Sequence, residues 1–230
     1  MILAIIQSRL NSKRLPQKAL MNMAGKPMIQ HVVERVRQVG SVDRVIVATV
    51  YGGNGALAAR LDDMGIECVR WEGPENDVLR RFVSVAEGVR AFKNGEPDQV
   101  EYVLRVCGDN PLFDPQSADE LCFAAFTSKA DYTGYQIRGK PAITIPNGYF
   151  GEVVKLSALQ RANEWLPENA PEREHVTACM YSGDQNRFHR PFTTHWLDVP
   201  ARYYKEKLKN AAVDTREDFE RVREVVEKET

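Results

Sequence analysis

Four cations fall within ten residues in the stretch Arg9-Leu10-Asn11-Ser12-Lys13-Arg14-Leu15-Pro16-Gln17-Lys18. Guanidinium and ammonium groups beside free backbone N–H groups match phosphate oxygens in geometry and charge, so such a loop is suited to holding a polyphosphate. Pro16 biases Leu15 towards extended backbone, which lets Arg14 and Lys18 approach one ligand from two sides. The run by itself fits a solvated basic loop better. Neither a GxGxxG nor a GxxxxGK[ST] phosphate loop follows the first apolar run.

Two acids stand at comparable junctions. Asp109, in Cys107-Gly108-Asp109-Asn110-Pro111, follows the apolar run Tyr102–Val106. There it would project into the crevice at the strand end and hold a hard divalent cation together with water and phosphate oxygens, while Gly108 allows close backbone approach. A turn-forming Asp beside Gly and Pro is the plainer alternative. Asp214 precedes Thr215-x-x-Asp218, which has capping-box character with the shorter acid, so Thr215 can close a helix and leave the Asp214 carboxylate free. Asp214 as the cap itself is the competing reading. Two carboxylates on separate loops suit magnesium-assisted phosphoryl or nucleotidyl transfer.

Other segments carry weaker signals. Pro74-Glu75-Asn76-Asp77-Val78-Leu79-Arg80-Arg81 opens a helix with polar groups where base or ribose recognition would fit, and helix capping explains it nearly as well. Pro146-Asn147-Gly148 and Arg173-Glu174-His175-Val176-Thr177 are weaker still. The lone histidines His31, His175, His189 and His195 suit structural roles, and Trp71, Trp165 and Trp196 suit the core or an interface.

The elements that must position these groups follow from hydrophobic patterning. From residue 1 to about 135, short apolar runs alternate with amphipathic stretches, the grammar of βα units around a mostly parallel sheet. Strands are expected at Ile2–Ile6, Arg44–Thr49, Glu67–Trp71 and Glu101–Val106. Helices are expected over Lys26–Val39, with Pro27 at its start and Gly40 at its stop, after Asn76 as a cap, and from Asp114-Pro115. Beyond residue 135 the turn signals Gly139-Lys140-Pro141 and Pro146-Asn147-Gly148-Tyr149 flank Ala142–Ile145 and Tyr149–Val154, which predicts a hairpin arm at about 136–155. Further helices are expected at Lys155–Trp165, Arg173–Tyr181 and Thr215–Lys228. The whole chain, 1–230, reads as a single domain.

Composition narrows the function classes. With 31 Lys+Arg against 32 Asp+Glu, the formal net charge of −1 gives no overall pull towards nucleic acid, although a local anion site is compatible with it. The four cysteines stand apart with no CxxC pair, as reduced thiols of a cytoplasmic protein do. No apolar run approaches the roughly 18 residues of a membrane span, and the apolar start runs into Gln7-Ser8-Arg9 without the basic flank of a signal peptide.

Taken together, Ile5-Ile6-Gln7-Ser8-Arg9 through Arg14-Leu15-Pro16-x-Lys18, Gly25-Lys26-Pro27-Met28-Ile29-x-His31-Val32, Gly108-Asp109-x-Pro111, Arg173-Glu174-His175-Val176-Thr177 and Asp214-Thr215-x-Glu217-Asp218 resemble the CMP-sugar synthetase-like cytidylyltransferases. The nearest branch is the spore-coat polysaccharide biosynthesis type, related to the 3-deoxy-manno-octulosonate and acylneuraminate enzymes. The similarity spans nearly the whole chain in the family's order. It implies a Rossmann-like (GT-A-like) nucleotidyltransferase sheet with flanking helices, a homodimer built through a β-hairpin arm, and a Mg2+-dependent reaction of CTP with a sugar acid that yields a CMP-linked product and pyrophosphate for surface glycan synthesis. By position, Arg14 and Lys18 would neutralise the triphosphate and Asp109 and Asp214 would hold the metal. Gln7, Ser8, Arg9 and Gly108 would line the nucleotide, with Asp77 and Arg80 near its base or ribose. Asn147, Arg173 and His175 would face the acceptor or the dimer partner.

Three stretches depart from the family pattern. Thr49-Val50-Tyr51-Gly52-Gly53-Asn54-Gly55 replaces a Thr-Thr-Asp-like sequence, Lys209–Val213 replaces an Arg-Leu-Thr-type strand, and Pro146-Asn147-Gly148-Tyr149 replaces a Pro-Asp-Gly-like turn. The alternatives are a nucleotidyltransferase of the same fold with another nucleotide or a phosphonate acceptor, a nucleotide-sugar glycosyltransferase, and a degenerate nucleotide-binding protein. A glycosyltransferase commonly needs Asp-x-Asp after a strand, and no predicted strand ends in one.

Overall fold

The unbroken apolar run Ile2–Ile6 is what a strand buried on both faces requires. In a computed structural model of the chain it forms β1 (Ile2–Gln7), with Leu3 to Ile6 fully buried. The structure describes residues 1–89, 91–93, 96–145, 147–183, 191–205 and 210–229. Beside β1 in the sheet stand β2 (Arg44–Val50), β3 (Cys68–Trp71) and β4 (Tyr102–Cys107), the four strands running parallel to one another. They are joined by helices α1 (Met28–Val36), α2 (Gly55–Asp63) and α3 (Val78–Gly88), and α4 (Pro115–Ser128) follows β4.

The sheet continues with β5 (Tyr132–Ile137), β6 (Lys140–Pro141), β7 (Glu152–Lys155) and β8 (Thr194–Asp198). Its order is β6-β5-β7-β4-β1-β2-β3, with β8 also paired to β5, making eight strands. β7 is antiparallel to both β4 and β5. The helices α5 (Leu156–Trp165), α6 (Ala201–Lys205) and α7 (Arg216–Glu229) complete the chain.

Strand alternation divides the core between the two faces of the sheet. Ala4, Ile6, Val47, Leu104 and Val106 pack with α1, α2 and α4, while Leu3, Ile5, Ile46, Ala48 and Val103 pack with α3 and α5. A third cluster joins Phe219, Val222 and Val226 of α7 to Leu15, Leu112 and Val213, so the last helix anchors the loops that carry Arg14, Asp109 and Asp214.

Several boundaries differ from expectation for identifiable reasons. Lys26–Pro27 pairs with Asn22–Met23 across a turn in which Ala24 and Gly25 both have positive φ, which delays α1 to Met28. That helix ends at Val36 rather than near Gly40, whose N–H is instead bound by Asp119. Asp77, not Asn76, caps α3 by accepting from the Arg80 N–H. The span Arg173–Tyr181 is not one helix but two single turns, Pro171–Arg173 and Ala178–Met180, separated by the buried Val176 at φ 56°. α2, β5 and β8 had no counterpart in the patterning. Within α2 only Leu57 and Leu61 are buried, and β8 is mostly polar.

The hairpin expected at 136–155 is shorter than the pattern implied. Arg138 and Gly139, both at positive φ, close β5 onto β6, after which Ala142–Thr144 coils into a 3-10 turn instead of a strand. Residues 152–155 then return as an internal strand of the main sheet, between β4 and β5. Pro146 lies outside the described residues, as does His189.

Candidate active site

Ligands in open α/β sheets settle beyond the carboxyl ends of the strands, and a cavity of about 810 Å3 lies there. The loop after β1 closes on itself, with the Gln17 N–H donating to Leu10 O at 2.9 Å and Gln17 in left-handed conformation. This turn carries Arg14 and Lys18 back over the strand end. The rebuilt segment after β2 braces the same loop. The fully buried Asn54 accepts from the Leu10 N–H at 2.8 Å and donates to Gly52 O at 2.7 Å.

The four residues singled out for phosphate and metal meet at one point. Lys18 Nζ lies 2.9 Å from Asp109 Oδ2, 3.2 Å from Asp214 Oδ1 and 2.6 Å from Val213 O. Arg14 reaches Asp214 Oδ1 at 2.8 Å. The two acid loops are tied by the Val213 N–H, which donates to Asp109 O at 2.9 Å. Thr215 and Asp218 cap α7 reciprocally, as their spacing predicts, and so leave the Asp214 carboxylate free to face the cavity. The carboxylates of Asp109 and Asp214 are 29% and 28% exposed and Lys18 is 12% exposed, so the cluster is accessible without being fully solvated.

Gly108 is where two loops press together. Its N–H donates to Gln7 O at 2.8 Å, and a Cβ there would lie 2.7 Å from that oxygen and 2.9 Å from Ser8 Cβ, closer than any side chain tolerates. Gln7, Ser8 and Gly108 all line the cavity. Arg9 spans it, paired with Glu75 at 2.9 Å and near Glu174 at 3.7 Å. Cys107 is also in the wall, but burial pushes its thiol up to about 11, so it stays protonated and is no nucleophile at neutral pH.

The remaining expected site residues lie elsewhere. Asp77 and Arg173 are buried against each other, at 2.9 and 3.1 Å, and neither lines the cavity, because each supplies the other's counter-charge. Arg80 points away towards Glu168 at 3.9 Å. Asn147 is a turn residue whose amide donates to Ala142 O and Ile145 O and whose carbonyl accepts from the Ala211 N–H. His175 is not among the lining residues. Patterning missed Glu75, Glu174 and Arg81 as cavity residues. Only their proximity to quoted segments hinted at them, since an Arg placed among the apolar positions of α3 reads as a surface residue.

The donor set can be tested for a divalent cation. Two hard carboxylates converge on one ammonium, which marks a spot that stabilises positive charge, and among the described residues no three or more His, Cys, Asp or Glu are grouped so that they could hold a metal by themselves. Two carboxylates plus water and phosphate oxygens suit magnesium and do not make a closed zinc site. The residues fit the magnesium that the resemblance implies.

A doubly wound sheet with a cationic loop and paired acids at its carboxyl edge defines a nucleotide-handling transferase. The cytidylyltransferase family model matches residues 3–227, and the chain belongs to that family of CTP-dependent nucleotidyltransferases. It is 30% identical over 232 residues to the spore coat polysaccharide biosynthesis protein SpsF of Bacillus subtilis (strain 168), covering 99% of this chain and 87% of that protein. It is 26% identical to the 3-deoxy-manno-octulosonate cytidylyltransferase of Pseudomonas syringae pv. tomato (strain ATCC BAA-871 / DC3000), covering 97% of each. A solved CMP:2-keto-3-deoxy-manno-octonic acid synthetase complexed with CTP superposes with a TM-score of 0.70 at 21% identity, over 100% of this chain and 99% of that one.

Proposed function

We propose that this protein transfers CMP from CTP to a sugar acid of nonulosonate or octulosonate type, with magnesium, in surface polysaccharide synthesis. The observation that carries this reading is the meeting of Lys18, Asp109, Asp214 and Arg14 from loops up to 200 positions apart. The acceptor class is supported by the substrates named for the octulosonate relatives. The polysaccharide role is supported by the Bacillus relative's name.

In this mechanism an acceptor hydroxyl oxygen attacks the α-phosphorus of CTP, the bond to the β-phosphate oxygen breaks, and pyrophosphate departs with the electron pair while the hydroxyl proton passes to solvent. Such transfers depend on alignment and charge neutralisation more than on covalent work by the protein. Magnesium, held by Asp109 and Asp214, would offset phosphate charge and lower the acceptor hydroxyl's pKa. Arg14 and Lys18 neutralise the departing pyrophosphate, for which Lys18 exchanges its carboxylate partners for phosphate oxygens.

No helix among the described residues is long and apolar enough to cross a membrane. A cytoplasmic location and a homodimer touching through residues 136–155 belong to the same proposal. Sedimentation at about twice the 26.1 kDa chain mass checks the dimer.

Thermal stability with CTP, UTP, ATP and GTP, each with and without magnesium, tests the nucleotide half, because a ligand of the folded state raises Tm through RT ln(1 + [L]/Kd). A magnesium-dependent shift selective for CTP is expected, followed by pyrophosphate release with sugar acids. Stabilisation by another nucleotide, or by none, overturns the reading.

A further inference from the structure

A sheet that ends on an unpaired strand presents a row of open main-chain donors and acceptors, and proteins guard such edges with charge, proline or a bulge. The eight-stranded sheet ends on β3 at one side, and at the other on β8, which pairs with β5 alone among the described strands. β3 is four residues long and carries the exposed Arg70, whose guanidinium lies 4.4 Å from the Tyr51 ring centre. β8, Thr194-His195-Trp196-Leu197-Asp198, holds no Lys, Arg or Pro, and Thr194, His195 and Asp198 are exposed.

Register decides which groups of β8 are open. The strand runs parallel to β5, with Thr194 beside Tyr132 and Asp198 beside Gln136. Thr193 O accepts from the Tyr132 N–H at 3.1 Å and the Val199 N–H donates to Gln136 O at 3.2 Å, so the odd-numbered residues bond inward. A parallel ladder engages alternate residues of a strand, which turns the N–H and C=O groups of Thr194, Trp196 and Asp198 outward. No other backbone bond among the described residues takes them up.

That row matches itself. Set antiparallel across a two-fold axis at Trp196, Thr194 falls opposite the partner's Asp198 at both ends, and the outward residues exchange about six main-chain hydrogen bonds. Thr194 Oγ1 accepts from Trp196 Nε1 at 3.1 Å, which leaves its hydroxyl proton to donate to the partner's Asp198. The two Trp196 rings meet at the axis and extend a cluster in which Trp196 lies 5.1 Å from Tyr132 and 5.9 Å from Tyr181. On the opposite face His195 meets the partner's Leu197. No like charges oppose each other, whereas a strand of unrelated sequence would gain the main-chain bonds without these side-chain matches.

We infer that β8 is the dimer edge, where a second copy adds its own β8 antiparallel and joins two eight-stranded sheets into one. This deepens the homodimer reading above and rests on it, since β8 lies directly beside β5, whose closing turn at Arg138 and Gly139 belongs to the stretch 136–155. The axis reverses strand direction, so the carboxyl edges of the two copies face opposite ways and each cavity is built by one chain.

Sedimentation equilibrium of the full chain tests the inference, with circular dichroism confirming that each variant folds. Thr194→Glu sets a second carboxylate opposite the partner's Asp198 at both ends and should weaken the dimer about tenfold or more. Adding Asp198→Lys turns both repulsions into ion pairs and should bring the dissociation constant back to within about threefold of wild type. Within one chain these positions stand about 13 Å apart along the strand, so the rescue reads pairing between copies. Thr194→Pro, which removes an outward N–H and no bond of the β5 ladder, should weaken the dimer likewise. A dimer indifferent to both Thr194 variants overturns the inference and leaves the homodimer to another face. So does a loss that Asp198→Lys fails to restore. A wild-type chain that sediments as a 26.1 kDa monomer overturns the homodimer reading itself, and this inference with it.

Discussion

Two regions of this molecule pair cations with carboxylates, and they do opposite things. At the cavity mouth Lys18 lies between Asp109 and Asp214, and every member of the cluster retains some exposure. Behind it, Arg173 with Asp77 and Arg105 with Glu152 are buried, the former at 4% and 7% exposure. The Arg173–Asp77 pair is also saturated, as is the Glu152 carboxylate, although Arg105 Nε has no partner among the described residues. Arg173 donates to both Asp77 oxygens and to the carbonyls of Asn163 and Leu166, while Glu152 accepts from Arg105, Tyr132 and Thr177. A saturated pair has nothing left to offer a ligand, whereas two carboxylates sharing one ammonium can exchange it for a metal. Composition does not separate the two kinds; saturation does.

The contrast can be broken from the buried side first, where the largest effect is expected. Arg173→Met leaves the Asp77 carboxylate buried without its partner, which costs about 3–5 kcal/mol. Urea unfolding should show that loss, while the variant still folded at low temperature keeps the wild-type acceptor KM. A raised acceptor KM with unchanged stability would return Arg173 to the acceptor site.

From the open side the pattern inverts. Asp109→Asn should lower turnover by about 10²–10³-fold, the scale of removing one preorganised electrostatic partner. Its stability should change by less than about 1 kcal/mol, since partly exposed pairs contribute little. Near-normal turnover in a pyrophosphate-release assay would refute the metal assignment. Lys18→Met sharpens the same point, because removing the ammonium leaves two carboxylates facing each other. Tighter manganese binding without nucleotide is expected, read by calorimetry, together with weaker CTP binding.

How much of this was legible in the sequence follows the same division. The parallel half of the sheet announces itself through unbroken apolar runs such as Ile2–Ile6. The loop cations and the two acids stand out because each directly follows a strand or precedes a helix cap. What patterning could not supply was pairing in space. Asp77 and Arg173 resemble site residues because both are charged and lie in polar segments, and only the fold shows that they neutralise each other across 96 positions. Arg81 was hidden for the converse reason, as a charge on a helix face that turns out to be buried. Beyond residue 135 the turn signals at Gly139 and Gly148 were real, both at positive φ. Turns do not specify partners, however, so the return of residues 152–155 into the main sheet was not visible locally.

The smallest effect concerns the device that holds Asp214 in place. Asp218 Oδ2 accepts from the N–H groups of Asp214 and Thr215 at 3.2 and 2.9 Å and from the Thr215 hydroxyl at 2.8 Å, and Arg221 reaches Oδ1 at 2.6 Å. Burial by itself would raise the pKa of this acid, but the hydrogen bonds from Arg221, Thr215 and Asp214 outweigh it and hold it down to about 2 from an ordinary 3.8. A depressed carboxylate stabilises the fold fully above its unfolded pKa, and that contribution fades as pH falls through the folded value. Asp218→Asn should therefore cost about 1 kcal/mol at neutral pH, the scale of a lost helix cap. The wild-type and variant unfolding curves should converge between about pH 4 and pH 2. A gap that persists below pH 2 would show that the cap works through the side chain's shape rather than its charge. Since the Asp214 N–H is one of the groups held, the same variant should loosen manganese binding slightly at neutral pH, linking the helix cap to the open pair at the cavity mouth.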